Sequence, residues 1–198
     1  MRNRLPQSGF TVIELLLVVA LIGVIGAIAV PMYGNAMANF RLTSDARSVS
    51  NGVALAKMRA ASTFSRTRLY VDVAGKAHRL QSWDKTLPGK WVTEGGNTYL
   101  NSTIAFGFGP IATPPTNTQP AIGQAPPCTD DAGVAIGGTA CVMFNSRGVP
   151  VDDTFAPTPQ DALYVTDGAV VYGVTVAATG MLRLWRSKSA STPTWVLQ

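Results

Sequence analysis

Hydropathy along the chain changes regime three times. Residues 1–9 are short, polar and basic. Residues 15–32 then run for 18 positions without a polar or charged side chain, and no charge follows before Arg41. At about 1.5 Å of rise per residue, a helix over that run approaches the roughly 30 Å hydrocarbon core of a bilayer. The next regime is periodic. Leu42, Ala46, Val49, Val53, Ala56 and Ala60 recur at spacings of 4, 3, 4, 3 and 4, which places them on one helix face. Arg41, Asp45, Arg47, Ser50, Asn51, Lys57 and Arg59 lie between them. Small residues dominate the stripe, so a close-packing partner is expected, a β-sheet of the same chain. The pattern predicts one long helix over about 11–61, bent or loosened near Pro31, whose ring removes a backbone hydrogen bond.

From about Ser65 the period drops to two. Leu69, Val71 and Val73 alternate with Tyr70 and Asp72, and Ala74-Gly75-Lys76 reads as a turn. Further strands are predicted over 80–83, 91–93, 102–108, 141–144, 162–166, 170–177 and 181–185. Pro88-Gly89, Gly95-Gly96-Asn97, Arg147-Gly148, Asp167-Gly168 and Thr179-Gly180 supply turns between them. Six prolines crowd residues 110–127, which predicts an exposed, semi-extended insertion. The whole reads as α+β, a long N-terminal helix packed on a mostly antiparallel sheet domain. The predicted divisions are 1–9, 10–39, 40–62 and 63–198.

Composition narrows the function. Charged residues are 14% of the chain and apolar residues 46%, against about 25% charged for soluble domains. Part of the molecule is therefore expected not to face water. The net charge is +5, and loss of Arg2 and Arg4 with a removed leader would take it to +3, too mild to name a polyanionic partner. One histidine and two cysteines leave little for a zinc site. Gly107-Phe108-Gly109-Pro110-Ile111-Ala112 matches a dinucleotide-binding string, but Pro110 forbids the helix that must open there. Ser146 is not in a nucleophile elbow. His78 reads as a partly exposed sheet residue rather than a general base. The pairs Asp130-Asp131 and Asp152-Asp153 lack calcium-loop spacing. No enzyme activity, cofactor or metal is expected.

Charge is also uneven. Residues 41–90 hold ten Lys/Arg and three Asp, and residues 128–167 hold six Asp and Arg147. Either the domain is electrically polarised, which would orient stacking of subunits, or the two regions intermix in space.

The informative charge is Glu14, set inside the apolar run after Phe10-Thr11-Val12-Ile13. An unpaired carboxylate at membrane depth costs a few kcal/mol and marks function by default. Cleavage after Gly9 would create an α-amino group, ordinarily of pKa about 8, four residues before Glu14. The string Gly9-Phe10-Thr11-Val12-Ile13-Glu14-Leu15-Leu16 resembles the class III signal of type IV pilins and type II secretion pseudopilins. Pro31 and the Gly23/Gly26 pair fall where that family weakens its helix. By this resemblance prepilin peptidase cuts after Gly9 and N-methylates Phe10, and Glu14 guides the subunit into a filament. Two alternatives stay open, a secretory signal cut after Ala29 and an uncut anchor. The mature N-terminus, Phe10, Val30 or Met1, separates the three.

Arg2 and Arg4 before the span place the N-terminus in the cytoplasm, and the remainder in an oxidising compartment. Cys128 and Cys141 are then expected to form a disulfide rather than stay free. It closes a loop of about 14 residues, worth roughly 3 kcal/mol on an entropic estimate. Residues 142–148, followed by 174–180, are similar to the GspH/FimT branch of minor pilins, with a strand ending in Phe144, a turn at Gly148 and a closing hairpin. The resemblance implies a structural subunit of a type II secretion pseudopilus or type IV pilus. Its partners would be other pilins, prepilin peptidase, the inner-membrane assembly platform and, before assembly, lipid. The alternative is a pilus-tip subunit gripping DNA or a surface through Arg183, Arg186 and Lys188 near Trp185 and Trp195. DNA-binding members of the FimT type carry Gly-Arg-x-Arg, whereas here Gly180-Met181-Leu182-Arg183 lacks the first arginine.

Overall fold

The computed structural model describes residues 10–86, 89–158 and 160–198. One helix, α1, runs over Val12–Thr63 and continues through position 31 without a break. Ten strands follow: β1 Thr67–Asp72, β2 Ala77–Asp84, β3 Lys90–Tyr99, β4 Ala105–Phe106, β5 Thr139–Phe144, β6 Pro150–Val151, β7 Gln160–Thr166, β8 Val170–Ala177, β9 Leu182–Lys188 and β10 Val196–Leu197. They form two five-stranded sheets, β3-β2-β1-β5-β6 and β10-β9-β8-β7-β4. Every pairing between these strands is antiparallel. The chain divides into two compact units, Met1–Phe40 and Arg41–Gln198.

Within the second unit, Leu42, Ala46, Val49, Val53, Ala56 and Ala60 are all fully buried. They share one core with Leu69 and Val71 of β1, Val142 and Phe144 of β5, Leu163 and Val165 of β7, and Val174 and Val176 of β8. The 4-3-4-3-4 spacing therefore marked the core face without error. Gly52 shows why the stripe is small. A Cβ there would stand 2.9 Å from Leu69 Cδ1, closer than van der Waals contact allows. Thr43 Oγ1 and Tyr172 Oη of β8 lie 3.1 Å apart, a polar link between the helix and the second sheet.

Several expectations are corrected. Gly95-Gly96-Asn97 makes no turn, because β3 continues to Tyr99. The register against β2 shifts between His78 and Leu80, and Gly95 takes φ +75°, so a bulge absorbs the irregularity. The strand expected over 102–108 shrinks to Ala105–Phe106, while β6 and β10, two residues each, carried too little alternation to be read. His78 is buried at 5% exposure. The proline-rich segment is irregular as expected but not free of the core. Ile111, Pro115, Thr118 and Ala125 are buried along it, and Gln124 acts as a strand in miniature. Its Oε1 accepts from the Tyr164 N–H at 2.8 Å, and its Nε2 donates to the Tyr164 carbonyl at 2.9 Å.

Candidate functional site

In the first unit, Thr11 and Glu14 open the helix together. Thr11 Oγ1 accepts from the Glu14 N–H at 3.3 Å, and the Leu15 N–H reaches the Thr11 carbonyl. Thr-x-x-Glu is the capping-box sequence, with the hydroxyl satisfying one of the donors a helix leaves open. This cap, made by the Thr11 hydroxyl, was legible in Thr11-Val12-Ile13-Glu14 but was not among the expectations. Behind it, Leu15, Leu16, Leu17, Val19, Ile22, Val24, Ile25 and Ile28 are each more than half exposed. Soluble proteins rarely leave so large an apolar surface uncovered, and this helix is long and apolar enough to cross a membrane. Gly9 lies outside the described residues, as do Arg2 and Arg4. Phe10, at 82% exposure, is the first residue described.

Cys128 and Cys141 form a disulfide, which ties the loop after the proline-rich segment to β5. Both cysteines are buried with Tyr70, and Ile136 packs against them. The acidic pairs have structural work. Asp130 Oδ1 accepts from the N–H groups of Ala132 and Val134, and Asp131 Oδ1 accepts from the Trp91 N–H at 2.8 Å. Asp152 Oδ1 accepts from the N–H groups of Thr154 and Ala156 and from the Thr154 hydroxyl. The Asp130 and Asp152 contacts are side-chain-capped turns, and Asp131 ties its loop to the start of β3. Among the described residues no group of three or more His, Cys, Asp or Glu could hold a metal ion.

Arg66 and Arg68 meet these acidic turns instead of lying on an opposite pole. Arg66 sits 4.1 Å from both the Trp83 and Phe155 ring centroids, Arg68 lies 3.8 Å from Trp91, and Arg79 lies 4.0 Å from Tyr70. Arg66, Trp83, Trp91, Asp131, Asp153 and Phe155 line one cavity of about 220 Å³. Arginine on an aromatic face gains cation–π attraction, more so where water is excluded. Burial lowers the pKa of Arg66 and brings Arg68 down to about 10, with Tyr70 and Asp131 opposing the shift at Arg68. The intermixed arrangement of charge is the one found here.

The candidate DNA contacts are spread out. Arg183 pairs with Thr175 and Arg186 with Tyr172 across β8, and strand alternation sends adjacent residues to opposite faces. Arg183 and Trp185 share the outer face, where Trp185 Nε1 donates to Thr175 Oγ1 at 2.9 Å. Arg186 and Lys188 take the other parity, and Arg186 also pairs with Val196 of β10. Trp195 packs with Tyr164 and donates to the Thr113 carbonyl. Gly148 and Gly180, by contrast, are brought together. Lys57 Nζ donates to the Gly180 carbonyl at 2.9 Å, and its methylenes pack on Gly148. The two hairpin turns are thereby pinned on one helical lysine.

Comparison with known proteins adds two findings. Two solved structures of the minor pseudopilin EpsH from the type II secretion system of Vibrio cholerae align at 13% identity and a TM-score of 0.43. One alignment covers 73% of this chain and 94% of EpsH, the other 78% and 95%. At the N-terminus, residues 4–30 match the prokaryotic N-terminal methylation motif. The helix that opens at the Thr11–Glu14 cap is thus the one that carries that motif.

Proposed function

We propose that the chain is a minor pilin or pseudopilin, a structural subunit of a type II secretion pseudopilus or type IV pilus. The observation that carries this reading is an uncovered apolar first half of the helix, matched by the methylation motif over residues 4–30 and charged between Val12 and Phe40 only at Glu14, in a chain that continues into a folded β-domain. Prepilin peptidase cuts after Gly9 and methylates Phe10. The subunit waits in the inner membrane with its N-terminus cytoplasmic and its β-domain periplasmic. The assembly platform then transfers it to the filament. Leaving lipid for a bundle of like helices is nearly neutral in apolar burial, so packing and polar pairing must supply direction. Glu14 supplies it by pairing with the Phe10 amine of a neighbour, a partner that exists only after cleavage.

Mass spectrometry of the protein from its natural membrane should give a mature start at methylated Phe10. A start at Met1 or Val30 sinks the reading. Glu14→Ala and Glu14→Gln should both insert in the membrane, and both should lose most incorporation into sheared filaments. Glutamine keeps the size and polarity of the side chain but not the charge, so normal incorporation of Glu14→Gln would remove the electrostatic step.

A further inference from the structure

Two buried charged side chains, Arg68 on β1 of the first sheet and Asp161 on β7 of the second, form no ion pair among the described residues. Arg68, at 2% exposure, donates from Nε to Gln81 Oε1 at 2.9 Å and from Nη1 to the Thr129 carbonyl at 2.8 Å. Both acceptors are neutral, and Nη2 has no hydrogen-bond partner among the described residues. Asp161, at 5% exposure, accepts from Thr158 Oγ1 at 2.8 Å through Oδ2, and Oδ1 has no such partner. The ion pair found among the described residues is Arg59–Glu94, which involves neither. Asp131 influences Arg68 electrostatically from beyond ion-pair distance, and its Oδ1 is turned to the Trp91 N–H. Proteins seldom keep charges buried without paired ions or ligands, because desolvation costs several kcal/mol per ion.

Arg68 and Asp161 line the same cavity, of about 220 Å³, floored by the disulfide and Met143. At about 30 Å³ per water, that is space for about seven waters, or a small molecule of a few heavy atoms. The field across it is graded. Arg66 and Arg79 lie close enough to act on Arg68, while Asp152 and Asp153 join Asp161 on the cavity wall. A molecule with a negative end and a positive end matches that gradient, whereas a simple ion would satisfy one end and be repelled by the other.

We propose that this cavity is a binding site for a small zwitterion of the α-amino-acid class, its carboxylate on Arg68 and its ammonium on Asp161. The planar guanidinium still offers Nη2 to a carboxylate oxygen. Asp161 Oδ1 takes an ammonium N–H. A space of about 220 Å³ accommodates the smallest members of the class, of which glycine is the simplest. This site is independent of the filament role, and either can fail alone.

The test is equilibrium dialysis of the full-length protein in detergent against radiolabelled glycine. Saturable binding near one glycine per chain is expected. Acetate and methylammonium, each carrying one of the two charges, should compete at least about tenfold less well than unlabelled glycine. Asp161→Asn, nearly isosteric, should weaken glycine binding at least about tenfold, since loss of one member of a buried charge pair is costly. The absence of saturable binding overturns the proposal, as does acetate competing as well as glycine. Wild-type affinity in folded Asp161→Asn would also overturn it. The competition experiment uses the unaltered chain, so it decides the matter even if the variant does not fold.

Discussion

Single residues of the β-domain carry pH dependence that composition could not reveal. His78 is buried on β2 beside Gly52 of the helix, and its Nδ1 has no hydrogen-bond partner. Burial lowers its pKa, with Asp45 opposing. A histidine whose folded pKa is depressed binds fewer protons folded than unfolded, so it favours folding most above the unfolded value of about 6.5. That contribution is lost as pH falls from about 6.5 through the folded pKa. Asp161 works in the opposite sense. Burial raises its pKa despite the Thr158 hydrogen bond, so its ionisation opposes folding as pH rises above the unfolded value. Thermal melts between pH 7.5 and 5.5 should therefore show falling stability, and His78→Gln should flatten that slope. An unchanged slope in the variant would assign the dependence to other groups. The expectation of a partly exposed His78 failed because a β-strand residue's burial depends on what covers its face, here the helix around Gly52, and nothing in the strand's own alternation reports that.

At the scale of elements, the most legible features were those with a long repeat. Six consecutive stripe positions on α1 and the eight residues of β8 were identified directly. Beta pairing across distant sequence was not. The splitting of the strands into two sheets, and the bulge that carries β3 through Gly95-Gly96, depend on contacts with residues far along the chain. The proline-rich segment misled for the same reason, since its anchors are single residues, Ile111, Gln124 and Ala125, set among solvent-facing ones. One non-local contact was marked by glycine. Gly180 holds φ +75°, and an added Cβ would collide with the Gly148 carbonyl. Gly180→Ala should destabilise by about 2–4 kcal/mol, from left-handed strain of order 1–3 kcal/mol plus overpacking. Lys57→Met should cost only about 1 kcal/mol, since it loses one hydrogen bond and keeps its methylene packing. Denaturant melts of the two variants check the ordering. Equal costs would mean that the turns are held by the lysine rather than by backbone approach.

For the whole molecule, the boundary at Phe40 separates an exposed apolar helix from a packed β-domain. Among the described residues none before Leu42 belongs to the core, and all six stripe residues, both sheets and the disulfide lie after Phe40. The described large apolar residues of the first unit are exposed instead. This separation has a direct consequence. A chain beginning at Arg41 should be water-soluble, form the Cys128–Cys141 disulfide, and melt within a few degrees of the full-length protein. It keeps all six stripe residues that share the core with the sheets. It should also sediment as a monomer in water, whereas the full-length chain should need detergent to avoid aggregating through residues 10–40. If the shortened chain were unfolded, residues 10–40 would have to contribute to the β-domain core. If it sedimented as a stable oligomer, the β-domain would carry an assembly surface of its own, and a filament held mainly by its helices would be the wrong picture.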